Sequence, residues 1–242
     1  MFNLLRASLA FLILSSCASE LVQTSDMSQE YVRASRYFAG PSQFPPEKFA
    51  AYGILAFPVN PAGRKENRKR FDLFCSAYIS SFKSVAELEA QGIKKEGQMV
   101  TVLPISDDTF ARIINDAPIR NACDLAVNHY GFAQAQDAIW QANRAASRTD
   151  GIVELDGRGP YLIAWSPGST KGETDTIVLV ADLSNSTTIE QIEADFRAWI
   201  TDIQDRPELW RRGWNLEAVQ IAMQRWIDRR AVGILQLLGD AS

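Results

Sequence analysis

The stretch YGILAFPV, residues 52–59, indicates the fold of this chain. It is apolar almost throughout and closed by prolines, a pattern typical of a strand buried on both faces of a sheet. A second such stretch, QMVTVLPI, occupies residues 98–105. Between them, aromatic residues recur at three- and four-residue spacing and predict a helix over roughly Lys65 to Phe82. Strand, helix and strand in this order favour a parallel pair joined by a right-handed crossover.

The rest of the chain adds a helical middle and a second pair of strands. Helices are predicted over 108–116 with Asp107 as cap, from Pro118 through Tyr130, and over 133–146. GPYLIAWS (159–166) and TDTIVLVADLS (174–184) flank a loop with Gly, Pro and Ser, which predicts an antiparallel hairpin.

The C-terminal part is predicted to be helical. One helix begins near Thr187, where Thr187 and Glu190 have capping-box spacing, and a last one covers about Leu216 to Leu238. We therefore expect an α/β (or α+β) fold. Its mixed sheet of four to five strands would have a parallel βαβ start, a C-terminal β-hairpin and packed helices.

The N-terminus carries an export signal. The apolar run from Ala7 to Leu14 is too short to span a bilayer, which needs about 20 residues. A positive start, a short apolar stretch and small residues are typical of a secretory signal peptide. Leu14-Ser15-Ser16-Cys17 resembles the lipobox of bacterial lipoproteins, in which the cysteine receives lipid. Cleavage around Ser16-Cys17-Ala18, with simple secretion, is the alternative.

The lipobox resemblance implies a domain organisation and a location. Residues 1–16 would be the signal peptide, 17–50 a lipid-anchored tether with a short helix around 27–38, and 51–242 a single α/β-type domain. The protein would lie at the periplasmic face of the cell envelope, held by its N-terminal lipid. Ala18, in place of an aspartate, favours the outer membrane. The partners would be the membrane and an envelope protein.

Composition and cysteine count exclude some classes. Acidic residues outnumber basic ones, 29 to 25, so no nucleic-acid partner is expected. Beyond Cys17, the chain has Cys75 and Cys123, and export predicts a disulfide between them, with two buried thiols as the alternative. With His129 as the single histidine and the cysteines far apart, no metal site and no cofactor are predicted.

No motif for catalysis stands out. PGSTKGET, residues 167–174, has glycines, a lysine and threonines, but their order differs from that of a phosphate-binding Walker loop. Serine hydrolase chemistry needs a base beside the nucleophile. His129, which lies near a helix end, is better interpreted as capping a carbonyl group. The catalytic residues, if any, are therefore unassigned.

Two groups of polar residues are candidate sites. The basic run RKENRKR, 64–70, begins a helix, and Arg64, Lys65 and Arg68 there could bind an anion or lipid headgroups, or form a solvated turn. Strand ends that meet at one edge of a parallel sheet often bind ligands. The residues expected at that edge are Asn60, Asp107, Asp108, Arg158, Asp182 and Asn185. Alternatively, Asp107, Asp182 and Asn185 cap helices and turns.

Two functions remain open. The first is a lipid-anchored binding or assembly module, for which Trp210 and Trp214, between two predicted helices, would be an exposed aromatic patch. The alternative is a periplasmic hydrolase that acts on envelope polymers through the strand-edge carboxylates. A deep cleft with converging polar groups would favour the enzyme, and a shallow apolar patch the binding module.

Overall fold

The computed structural model describes residues 31–43, 47–116, 119–146, 155, 157–171, 178–214 and 234–238. Its strands are β1 (Arg33–Ala39), β2 (Ala51–Ala56), β3 (Lys83–Ser84), β4 (Gln98–Pro104), β5 (Tyr161–Trp165), β6 (Val178–Asp182) and β7 (Ile234–Leu238). Its α-helices are α1 (Lys65–Ser81), α2 (Val85–Ala90), α3 (Asp108–Asp116), α4 (Ile119–Asn128), α5 (Phe132–Ala146), α6 (Ile189–Asp205) and α7 (Pro207–Arg212).

The predicted α/β class and both predicted strand pairs are confirmed. β2 and β4 are parallel neighbours, with Ile54 opposite Val102, and α1 lies in the connection between them. β5 and β6 are antiparallel, with Ile163 opposite Val180, as the hairpin prediction requires. The order across the mixed sheet is β3-β1-β4-β2-β5-β6-β7, so the parallel part adjoins the hairpin through β2 and β5.

Helices cover both faces of the sheet, which explains the unbroken apolar strands. Every residue of β2, β4 and β5 is buried. On one face, Trp199 of α6 donates its indole N–H to Thr101 Oγ1 at 3.3 Å. Thr101 lies opposite Gly53, so the adjacent Tyr52 points to the other face, where α5 packs against β2. Strands covered on both sides need no polar alternation.

The first strand corrects the predicted tether. Residues 33–39 were expected in a tether with a short helix, but they form β1, which pairs with β4 over its whole length from Arg33 to Ala39. The fold therefore begins before residue 51. The sequence RASRYFA has no clear strand pattern because its buried positions do not alternate, and its hydrogen-bond partner lies 65 positions further along the chain, where Arg33 is opposite Gln98.

The number of strands and two details of the C-terminal part also differ from the prediction. Among the described residues the sheet has seven strands, because β1, the two-residue β3 and β7 add to the four that were located. Ile234–Leu238, expected as the end of a helix, instead pairs antiparallel with β6; residues 215–233 lie outside the described residues. The capping box of α6 is Thr188 with Gln191, one position after the predicted pair.

The predicted disulfide is confirmed. Cys75 on α1 and Cys123 on α4 are bonded, with their Cα atoms 5.7 Å apart. The Cys75 side chain is fully buried, and Phe71 and Phe74 from the preceding turn also lie in the core. The bridge thus joins the helix of the parallel unit to the helical middle of the chain. In the described part of the chain, no helix is long and apolar enough to cross a membrane.

Loss of this bridge should destabilise the fold. The bonded cysteines are 48 positions apart, and the chain-entropy estimate for a loop of that size is about 4 kcal/mol. We expect Cys75→Ala/Cys123→Ala to lower the free energy of unfolding by up to that amount in urea titrations. A reductant should destabilise the parent protein to a similar extent and leave the double variant unchanged. Equal stability of parent and variant would contradict this role.

Candidate functional site

The strand order brings the predicted strand-edge residues to one edge of the sheet, here called the carboxyl edge. β1, β2, β4 and β6 run in one direction and β5 in the other, so the ends of β2, β4 and β6 and the start of β5 share this edge. The predicted residues that follow or precede these strands are Asn60, Asp107, Asp108, Arg158, Asp182 and Asn185.

The polar side chains after β2 and β4 accept hydrogen bonds from backbone N–H groups close to them in the fold. Asn60 Oδ1 accepts the N–H of Ala62 at 3.0 Å. Asp107 Oδ1 caps α3 by accepting the N–H groups of Thr109 and Phe110 at 2.8 and 3.1 Å. Asp108 Oδ1 accepts the N–H of Ser42 at 3.0 Å, and Gly40 beside it has no room for a side chain, because a Cβ there would lie 2.6 Å from Asp108 Cα. Asn60 and Asp107 thus act as caps, and Asp108 binds the turn that follows β1.

At the hairpin, Asp182 and Ser184 likewise form hydrogen bonds within turns. Asp182 Oδ1 accepts both the N–H and the hydroxyl of Ser184, at 2.8 and 2.5 Å. Ser184 Oγ in turn accepts the N–H of Gly159 at 2.8 Å. Asn185 and Arg158 are exposed to solvent. The carboxylate of Asp182 thus stabilises the turn after β6.

The carboxylates of this edge do not converge on one point. Asp107 and Asp108 follow β4, whereas Asp182 ends β6, and β2 and β5 lie between these strands. Three strand spacings separate them by about 14 Å. A pair of carboxylates that cleaves a glycosidic bond lies roughly 5 to 9.5 Å apart. Within the described ranges, no three His, Cys, Asp or Glu side chains come close enough to hold a metal ion.

Arg70 lies at the carboxyl edge, and no sequence pattern predicted its role. Its guanidinium donates to the carbonyl oxygens of Gly159, Leu183, Ser184 and Ser186, with Nε to Gly159 at 3.0 Å and Nη2 to Leu183 and Ser184 at 3.0 Å. Burial lowers the pKa of Arg70, and so does the positive charge of Arg158. The guanidinium therefore connects α1 to the loops at both ends of the hairpin.

The other cations of the basic run are either exposed to solvent or bound to neighbouring polar side chains. Arg64 and Lys65 are exposed, and their contact with an anion or with lipid headgroups stays a prediction. Arg68 is partly buried: its Nη1 donates to Asn128 Oδ1 at 3.1 Å, and its Nη2 lies 4.0 Å from Asp124. Its contacts thus connect α1 with α4, next to the disulfide. The interpretation as a solvated turn therefore fits Arg64 and Lys65 but not Arg68.

Two further sequence features have structural roles. Lys171 of PGSTKGET is 6% exposed; its Nζ lies 3.2 Å from Asp137 Oδ2 of α5 and over the Trp165 ring. The imidazole of His129 stacks on Phe110 with the ring centroids 3.4 Å apart. The Lys171 contact connects the hairpin loop to α5 and agrees with the rejection of a phosphate-binding loop.

The predicted aromatic patch is wrong for Trp210. Its side chain is 1% exposed and contacts Trp199 and Trp214 edge-on, with both centroid distances 5.4 Å. α7 folds back on the end of β5, where Ser166 Oγ donates to the Leu209 carbonyl at 2.7 Å. The turn that carries Trp210 is therefore part of the core. An exposed tryptophan is found instead on α5, where Trp140 is 55% exposed with Arg144 stacked over its ring.

A groove lies at the opposite edge of the sheet, here called the amino edge, where β1, β2 and β4 begin. It is bounded by the start of β1, by β3, by α2 and its following turn, and by the end of α6, and it has a volume of about 320 Å³. Its lining residues are Arg33, Ala34, Ser81, Lys83, Leu88, Gln91, Ile93, Ile200 and Gln204. The sequence could not predict this site, because β1 and β3 were not recognised as strands.

Comparisons with known proteins give no functional guide: no family model, curated protein or solved structure matches the chain. The function must therefore be argued from the residues and their geometry.

The contacts of Arg70 lead to a stability prediction. Arg70→Met would leave the carbonyl groups of the hairpin loops without their charged donor. Hydrogen bonds to charged groups contribute about 1.5 to 3 kcal/mol. We expect a loss of about 3 kcal/mol in the free energy of unfolding, measured by urea titration. Lys69→Met, an exposed neighbour that removes the same charge, should change it by less than about 0.5 kcal/mol. Equal effects of the two substitutions would show that Arg70 has no special role.

Proposed function

We propose that this protein is a lipoprotein of the bacterial cell envelope whose α/β domain, anchored through Cys17, is a binding or assembly module. Leu14-Ser15-Ser16-Cys17 is the sequence basis for the anchor. Several acyl chains on one cysteine would hold the domain at a bilayer, whereas a single chain binds only marginally. The periplasmic face of the envelope, with Ala18 favouring the outer membrane, is the proposed location.

The bond between Cys75 and Cys123 is the observation that carries the proposal. Disulfides persist in exported proteins and are rare in the reducing cytosol. The two cysteines lie on different helices, and their Cα distance of 5.7 Å is within the usual range for a bridge. The export signal at the N-terminus and the bridge in the domain are independent features, and both support an oxidising compartment.

Binding is favoured over hydrolysis by the state of the carboxyl edge. An acid–base pair needs two carboxylates within reach of the same bond. Here Asp107 caps a helix and Asp182 holds a turn, about three strand spacings apart. The described groove lies at the other edge, and its lining includes cations, amides and apolar side chains but no acid, histidine or cysteine. This set of side chains suits the binding of a ligand.

Lipidation of Cys17 can be tested directly. In a Gram-negative host supplied with labelled palmitate, we expect the full chain to incorporate label and to fractionate with membranes. Mass spectrometry should find an acylated cysteine as the first residue of the mature protein. Cys17→Ser should abolish both incorporation and membrane association.

The cysteines of the disulfide provide the matched control. Cys75→Ala/Cys123→Ala should retain the label, because these side chains lie in the folded domain. A mature protein that begins after Cys17, without acylation, would refute the anchor. It would leave a secreted domain.

A further inference from the structure

The groove at the amino edge has two cations and no counter-charge in its lining. Arg33 begins β1, and Lys83 begins β3 one strand away, opposite Ser35. Lys83 Nζ donates to Gln91 Oε1 at 3.0 Å, and the Arg33 guanidinium lies over the Tyr31 ring. Neither cation forms a salt bridge with a carboxylate in the described part of the chain. The groove is therefore positively charged.

Glu87, the nearest acidic residue of α2, already has a hydrogen-bond donor and a positively charged partner. Glu87 Oε2 accepts the N–H of Ser84 at 2.5 Å and lies 3.7 Å from the Arg36 guanidinium. The hydrogen bond to Ser84 is the main reason why the pKa of Glu87 is lowered. Glu87 is thus bound to the helix start and to Arg36, and the positive charge of Lys83 also contributes to lowering its pKa.

The remaining lining is amphiphilic. Leu88 is buried, and Ile93 and Ile200 are half-exposed, so they form an apolar surface beside the cations. Gln204 and Ser81 add groups that can donate hydrogen bonds. A volume of about 320 Å³ is at the lower end of the range for small-molecule sites, roughly 300 to 1,000 Å³. The matching ligand has a compact anionic group next to an apolar part.

The position of the groove indicates where that ligand comes from. Arg33 is the first residue of the sheet, and only about fifteen residues separate it from Cys17. Even fully extended, such a segment spans about 50 Å, so the anchored domain stays close to the bilayer. The amino edge is where this segment joins the fold. The basic turn at Arg64 lies beyond the opposite ends of the strands, and the length of a strand separates it from the amino edge by about 20 Å.

We propose that the amino-edge groove binds the phosphate headgroup of an anionic phospholipid in the bilayer that holds the anchor. Arg33 and Lys83 contact the phosphate, and Ile93 and Ile200 contact the glycerol and first acyl carbons. The proposal rests on the lipoprotein function above and names the ligand of its domain. It differs from the basic-turn prediction, which places the lipid contact at Arg64, Lys65 and Arg68.

Vesicle binding of the unlipidated chain tests this proposal. The chain from Ala18 to Ser242 is mixed with vesicles of equal parts phosphatidylglycerol and phosphatidylcholine at low salt, and bound protein is measured by flotation. Each surface cation adds about 1 kcal/mol of attraction, so Arg33→Gln/Lys83→Gln should weaken binding about 30-fold. Raised salt should weaken binding of the parent protein as well.

Arg64→Gln/Lys65→Gln is the matched control. It removes the same charge from exposed positions at the opposite edge, and we expect it to weaken binding less than threefold. Circular dichroism should show that both variants are folded. A greater loss with the control pair, an equal loss with both pairs, or no loss with either overturns the groove as the headgroup site. These outcomes are independent of the palmitate experiment, which tests the anchor alone.

Discussion

The guanidinium of Arg70 is the side-chain contact that, together with the ladder between β2 and β5, joins the two halves of the sheet. Arg70 lies in α1, the helix that follows β2. Its N–H groups donate to carbonyl groups before β5 and after β6. Loop carbonyls have no partner in the sheet and are costly to bury alone. Because arginine has five N–H donors in a fixed fork, one side chain can satisfy several of them at once. The parallel unit and the hairpin are thereby held in one relative position.

This contact also bears on function. The carboxyl ends of parallel strands are the usual ligand edge of α/β sheets. In this protein, Asp107, Asp108 and Asp182 at that edge accept hydrogen bonds from nearby turns, and Arg70 binds the loops of the hairpin. The carboxylates that a ligand would use are thus occupied by the protein itself, whereas Arg158 and Asn185 are exposed to solvent. At the amino edge, Arg33 and Lys83 line an open groove instead, which supports the placement of binding there.

α1 is fixed at two further places. Phe71 and Phe74 pack against Phe57 at the end of β2, with ring centroids 5.0 and 5.9 Å away, and Tyr130 closes the cluster. Such aromatic pairs contribute about 0.5 to 1.5 kcal/mol beyond the area that they bury. The disulfide at Cys75 then joins the same helix to α4. α1 therefore has both packed and covalent support.

The sequence by itself determined the features that repeat over short distances. The apolar runs of β2 and β4, the aromatic spacing of α1 and the turn residues between β5 and β6 are local patterns, and they predicted the α/β class, the parallel pair and the hairpin. The even pair of cysteines similarly predicted the disulfide. The polar residues of the carboxyl edge were assigned to the correct strand ends, and Asp107 was predicted as a helix cap, but the contact of Asp108 with Ser42, 66 positions away, was not predicted.

The tertiary structure decided whatever depends on partners far away in the chain. β1 mixes polar and apolar residues without regular alternation, and it is a strand because β4 supplies its hydrogen bonds. Trp210 is buried because α7 folds back on β5, and Arg70 differs from the exposed Lys69 only because the hairpin loops come within its reach. The groove at Arg33 and Lys83 is lined by five separate elements, β1, α1, β3, α2 and α6. A one-dimensional pattern carries no information on such contacts, since they exist only once the chain is folded.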